Sequence, residues 1–97
     1  MPRKSHIDKV LEELADIKDV VGLYVVIYGF DHSSGEKISR RFYDNLERLN
    51  DRLGGVRRVQ RGVYECDHFK TALAIKGIAE IFKAKDVVIY RVEKIED

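Results

Sequence analysis

The sequence has one cysteine, Cys66, so it can close no internal disulfide, and with no second cysteine nearby a zinc cluster is not expected. Cys66 itself reads as a core thiol at the end of a strand. It has no apolar run long enough to span a bilayer; Val20 to Phe30 is its longest weakly polar stretch. No cleavable leader pattern opens it, and the expected setting is therefore the cytoplasm, away from any membrane. Gly-rich phosphate loops, nucleophile elbows and paired-histidine metal motifs are all missing, as are solenoid-type repeats and low-complexity segments. One further absence is local. Between Arg40 and Arg61 there is no lysine at all.

What that span holds instead is arginine. Arg40, Arg41, Arg48, Arg52, Arg57, Arg58 and Arg61 stand against Asp44, Glu47 and Asp51. Lysine would serve solubility equally well, whereas planar guanidinium forks match phosphate oxygens. The formal net charge of +1 hides this asymmetry, because Asp8, Glu12, Glu13, Asp16 and Asp19 make the N-terminal stretch acidic. With 97 residues, 44% hydrophobic and 36% charged, the chain suits one soluble globular domain over residues 1–97.

Ser5 and Asp8 have capping-box spacing, and Ile7, Val10, Leu11, Leu14 and Ile17 follow at helical intervals. A helix of about three turns ending near Asp19 is expected, forming an extension over residues 1–20. Leu23 to Tyr28 is β-branched and aromatic without polar alternation, the pattern of a central strand covered on both faces. The polar stretch from Gly29 to Gly35 contains Asp31 and His32; either it is a solvated loop or these two residues hold a metal ion, Asp31 suiting Mg2+ and His32 suiting Zn2+ or Mn2+ better. Ser33 with Glu36 forms a second capping box, followed by Ile38, Phe42, Leu46, Leu49 and Leu53 on one helical face, which Gly54-Gly55 ends.

Arg57 to Asp67 then reads as two short strands in a tight hairpin or one strand with a bulge, bent at Gly62. Asp67 can cap a third helix whose apolar face runs from Phe69 to Phe82, and Gly77 within it points to close packing. Val87 to Val92 forms a last strand before a charged tail at residues 93–97. After the first helix the order is strand, helix, strand, strand, helix, strand, an α+β chain of the ferredoxin-like βαββαβ sandwich type with an extra N-terminal helix. That arrangement leaves one sheet face bare, to be covered by the extra helix or by a second subunit.

The strand Leu-Tyr-Val-Val-Ile-Tyr, the run from Arg58 to Glu65 and the final Val87-Val88-Ile89-Tyr90 resemble the Cas-two family. These are the small CRISPR-associated proteins that accompany the integrase in spacer acquisition, an antiviral defence. The family's middle run reads Arg-x-Gln-x-Ser-Val-Phe-Glu; Arg58, Gln60, Val63 and Glu65 match it, while Gly62 and Tyr64 replace the serine and phenylalanine. The similarity covers about residues 22–92. It implies a ferredoxin-fold homodimer that binds DNA or RNA, with a CRISPR integrase as partner and, in some members, metal-dependent endonuclease activity using Mg2+ or Mn2+. The chain departs from the family in its N-terminal helix and at the metal-linked aspartate after the first strand's tyrosine, where it has Gly29.

The expected nucleic-acid contacts are Arg40, Arg41, Arg57, Arg58 and Arg61. Asp31 is the candidate catalytic residue and Asp31 with His32 the candidate metal ligands. The alternative is a non-catalytic ferredoxin-like module for dimerisation or protein interaction, in which the arginines are only a charged face.

Overall fold

The strand Val21–Gly29 (β1) alternates its side chains across the sheet, and this alternation sorts the molecule into two sides. Tyr24, Val26 and Tyr28 are buried against helices, whereas Ile27 on the opposite side is exposed. A computed structural model describes residues 5–30 and 40–93. Around β1 it places helix α1 (His6–Glu13), helix α2 (Arg40–Leu53), strands β2 (Val56–Gln60) and β3 (Val63–His68), helix α3 (Phe69–Ile81) and strand β4 (Lys85–Val92). The four strands form one antiparallel sheet in the order β2-β3-β1-β4. The chain is thus α+β, with three helices and a four-stranded antiparallel sheet among the described residues. None of the helices among the described residues is long and apolar enough to cross a membrane.

The central strand was expected to be covered on both faces, and it is not. In the register Val25 pairs with Tyr90 and Ile27 with Val88, so these four lie on the side away from the buried Tyr24 and Val26. The continuous apolar pattern of β1 therefore has two causes: one set of residues fills the core and the other forms an open apolar face. Helix α1 does not cover that face. It packs on α3, where a Cβ on Gly77 would lie 3.0 Å from Val10 Cγ1, so the absence of a side chain there lets the helices close up. α3 lies between the sheet and α1. This explains why Thr71, Ala72, Ala74, Ile75, Ile78 and Ala79 are buried around most of its circumference.

The capping box of α1 is formed, with Ser5 Oγ accepting from the Asp8 N–H and Asp8 Oδ2 accepting from the Ser5 N–H. The helix stops at Glu13, well short of Asp19. Its last turn carries Glu12 and Glu13 and no base, charges that oppose the negative end of the helix dipole. The second capping box, at Ser33 and Glu36, lies outside the described residues. At the other end of α2, Gly54 (φ 73°) and Gly55 (φ 67°) supply the left-handed backbone that ends it.

The arginine-rich segment is a hairpin and also carries a bulge. β2 and β3 meet at Arg61-Gly62, and the register slips between Arg58 and Gln60, leaving Val59 as the extra residue. Gly62 has φ 80°, and its carbonyl accepts from the Tyr28 N–H at 3.0 Å, tying the hairpin to the end of β1. Asp67 does not cap α3; it lies in β3. That role is taken from far along the chain by Asp19, whose Oδ1 accepts from the Lys70 N–H at 3.0 Å while its Oδ2 meets His68 Nδ1 at 2.9 Å.

Candidate nucleic-acid interface

Successive residues of a strand point to opposite faces, and this decides what Arg57 and Arg58 can do. Arg57 pairs with Glu65 on the open face. Its Nε donates to Glu65 Oε1 at 2.8 Å, and its two terminal nitrogens fork onto the Asp67 carboxylate at 3.0 and 2.8 Å. These bonds raise the Arg57 pKa further, and they hold the Asp67 carboxyl below the usual carboxylate range. Arg57 is occupied by its own fold. Glycine at 55 belongs to the same arrangement, because a Cβ there would sit 2.8 Å from Asp67 Oδ2.

Arg58 lies on the helix side, in register with Tyr64, its guanidinium carbon 5.0 Å from the centre of the Tyr43 ring. It lines a concavity of about 220 Å³ with Tyr43, Glu47, Asn50 and Tyr64. Burial pushes the Tyr64 and Tyr28 hydroxyls up, keeping both phenols neutral. The Tyr28 hydroxyl is buried with no hydrogen-bond partner among the described residues, a position that costs about 1–3 kcal/mol. Arg61 is exposed at the hairpin turn.

Arg40 and Arg41 are the first described residues of α2 and both are exposed. Arg41 borders a groove of about 780 Å³ between α1 and α2. Lys9 of α1 and Arg48 of α2 line the same groove with His6 and Asn45, and Asp44 is its one carboxylate among the described residues. Neither Lys9 nor Arg48 was singled out as a contact from the sequence. Arg41 and Arg48 stand seven residues apart, which places them on one stripe of α2, but nothing in the spacing says that α1 delivers a lysine to that stripe. Farther along, Arg52 bonds the Asp8 carboxylate, which lowers the Asp8 pKa.

The expected arginines therefore do not form one row. Arg57 faces the open side and is consumed there, Arg58 and Arg61 lie on the other side and the tip of the hairpin, and Arg40 and Arg41 start α2. Asp31 and His32 lie outside the described residues. Among the described residues no three carboxylate, imidazole or thiol groups come together to hold a metal ion. At Gly29, a Cβ would meet nothing within 4 Å, so crowding is not what requires glycine at this strand end. Cys66 is fully buried, and burial pushes its thiol up to about 11. Comparison with protein-family models, with curated proteins and with solved structures finds no match for the chain.

Proposed function

We propose that the chain is a Cas-two-like protein of ferredoxin-like fold that works as a homodimer and binds nucleic-acid phosphates. The ferredoxin-like reading is supported by β1 and β2 running parallel with β3 between them and antiparallel to both, which is the split βαβ unit. One observation carries the functional reading: the apolar and the cationic surfaces are separated. Among the described residues Arg40, Arg48 and Arg58 form no ion pair and lie on the helix side, Arg61 forms none at the hairpin turn, and on the open sheet face Arg57, Glu65 and Asp67 are paired with one another.

A face without an unpaired cation is not a phosphate surface. Its occupant is a second copy of this chain, since a largely apolar patch with internally satisfied charges asks for no counterion from its partner, and two-fold pairing brings the same patch to itself. Nucleic acid then meets the opposite side, and an integrase is the protein partner that the resemblance adds. The activity proposed is binding. The position that holds the metal-linked carboxylate in the resembled family is Gly29, which supplies no ligand, so hydrolysis would rest on Asp31 with Mg2+ or Mn2+.

The test is fluorescence anisotropy with labelled single-stranded and duplex oligonucleotides over ~50 to 200 mM salt. The expected result is binding that weakens linearly on a log–log plot, with a slope that falls by about one unit in Arg58→Gln and is unchanged in Arg57→Gln. No binding at the lowest salt would overturn the reading.

A further inference from the structure

We propose that the concavity between α2 and the β2–β3 hairpin receives one base of a single nucleic-acid strand, guanine by preference, with Glu47 and Arg58 reading its edges beside Tyr43. The assignment rests on the nucleic-acid reading above and adds a base contact to its phosphate contacts.

The spacing of α2 builds one wall. Glu47 follows Tyr43 by four residues and Asn50 follows Glu47 by three, which sets the three side chains in a row on the helix. Across about 220 Å³ that row faces Val56, Arg58 and Tyr64 of the hairpin. Both walls are fixed. Asn50 Oδ1 accepts from the Val56 N–H at 3.1 Å, tying the helix to β2, and Tyr64 is buried in register with Arg58. Sites for drug-sized ligands run to roughly 300–1,000 Å³, so this smaller space suits one ring system and not a whole nucleotide.

The charges say what kind of ring. Glu47 and Arg58 border the same small space, yet among the described residues neither forms an ion pair. Arg58 instead lies over the Tyr43 ring, 5.0 Å from its centre. Elsewhere the fold does pair such groups, Arg52 with Asp8 and Arg57 with Glu65 and Asp67. A carboxylate and a guanidinium left apart in one concavity match a ligand that donates on one edge and accepts on the next. Phosphate only accepts, and Glu47 repels it.

Guanine offers both kinds of edge. Its O6 and N7 are acceptors that fit an arginine fork, and its N1–H and N2 amino group are donors to a carboxylate. The aromatic walls add stacking surface that every base can use, so the discrimination falls to Glu47 and Arg58. Because N1–H and the N2 amino group are taken up by pairing in a duplex, the site reads an unpaired base.

The experiment is fluorescence anisotropy on the full chain with short labelled single strands, all thymidine except for a central thymine, guanine or hypoxanthine, the last lacking the N2 amino group. The wild type is expected to bind the guanine strand about tenfold more tightly than the all-thymidine strand, and hypoxanthine is expected to lose about threefold of that gain. Glu47→Gln, at an exposed position, is expected to lose most of the guanine preference while its affinity for the all-thymidine strand rises about twofold, since a negative charge has been removed beside the phosphates. These opposite signs separate a base contact from a general electrostatic or structural effect, and the hypoxanthine comparison needs no variant. Equal wild-type affinity for the guanine and all-thymidine strands, hypoxanthine bound as tightly as guanine, or a guanine preference kept in full by Glu47→Gln would overturn this inference alone and leave the phosphate contacts standing. No wild-type binding to any strand at low salt would overturn both readings.

Discussion

The two faces of the sheet are built from the same strands and the same residue types, yet they do different things. On the helix face Tyr24, Val26, Tyr28, Tyr64 and Cys66 meet Phe42, Leu46, Leu49, Ile75 and Ile78 in one core. On the other, Ile27, Val88, Tyr90 and Val92 stand between 37% and 53% exposed. Hydrophobic side chains alone therefore do not define an interior. Among the described residues helices reach only one side, and the apolar side left over is surface until something covers it.

The comparison breaks most readily at the core. Phe42 is fully buried and makes edge contacts with the rings of Tyr28, Phe30, Tyr43 and Phe82. Phe42→Ala is expected to cost about 3–5 kcal/mol in urea unfolding, against about 0.5 kcal/mol for Val88→Ala measured where the chain is monomeric. Equal losses would mean that the two faces do not differ as described.

A smaller effect is expected where the hairpin is tied to β1. In Gly62→Ala the new Cβ would meet the Tyr28 carbonyl oxygen at 2.8 Å, at a φ of 80° that alanine rarely adopts. The expected loss is about 1–3 kcal/mol. A neutral result would show that the hairpin is not held against the strand end.

The smallest effect belongs to the cap that Asp19 provides to α3. Asp19→Ala is expected to cost ~1 kcal/mol at neutral pH. The Lys70 N–H and then His68 hold the Asp19 carboxyl below its ordinary value of 3.8. A depressed folded-state pKa adds stability above the unfolded value and loses it as pH falls through the folded one. The gap between wild type and Asp19→Ala should therefore be constant above ~pH 5 and shrink below ~pH 4. A gap that does not depend on pH would assign the effect to packing alone.

Much of this was legible in the residues. Ser5 with Asp8, Gly54-Gly55 and Gly62 named a helix start, a helix stop and a hairpin bend, because each depends on local backbone chemistry. The order of elements followed from periodicity. What failed were statements about partners distant in sequence. Asp67 reads as a helix cap until its pairing with Arg57 across the hairpin is seen, and Asp19, far upstream, carries no local sign that it caps α3. The same holds for the site. Arginine richness was visible, but whether a guanidinium is spent on the fold or left for a ligand depends on which strand face it occupies and which helix packs beside it.

The central claim is that the open sheet face is completed by a second copy of the chain. Sedimentation velocity at tens of micromolar tests it most directly, on wild type and on Val88→Asp, Tyr90→Asp, which puts two carboxylates in that face. The account predicts a wild-type dimer and a folded monomer for the variant. A wild-type monomer, or a variant that still dimerises, would contradict it.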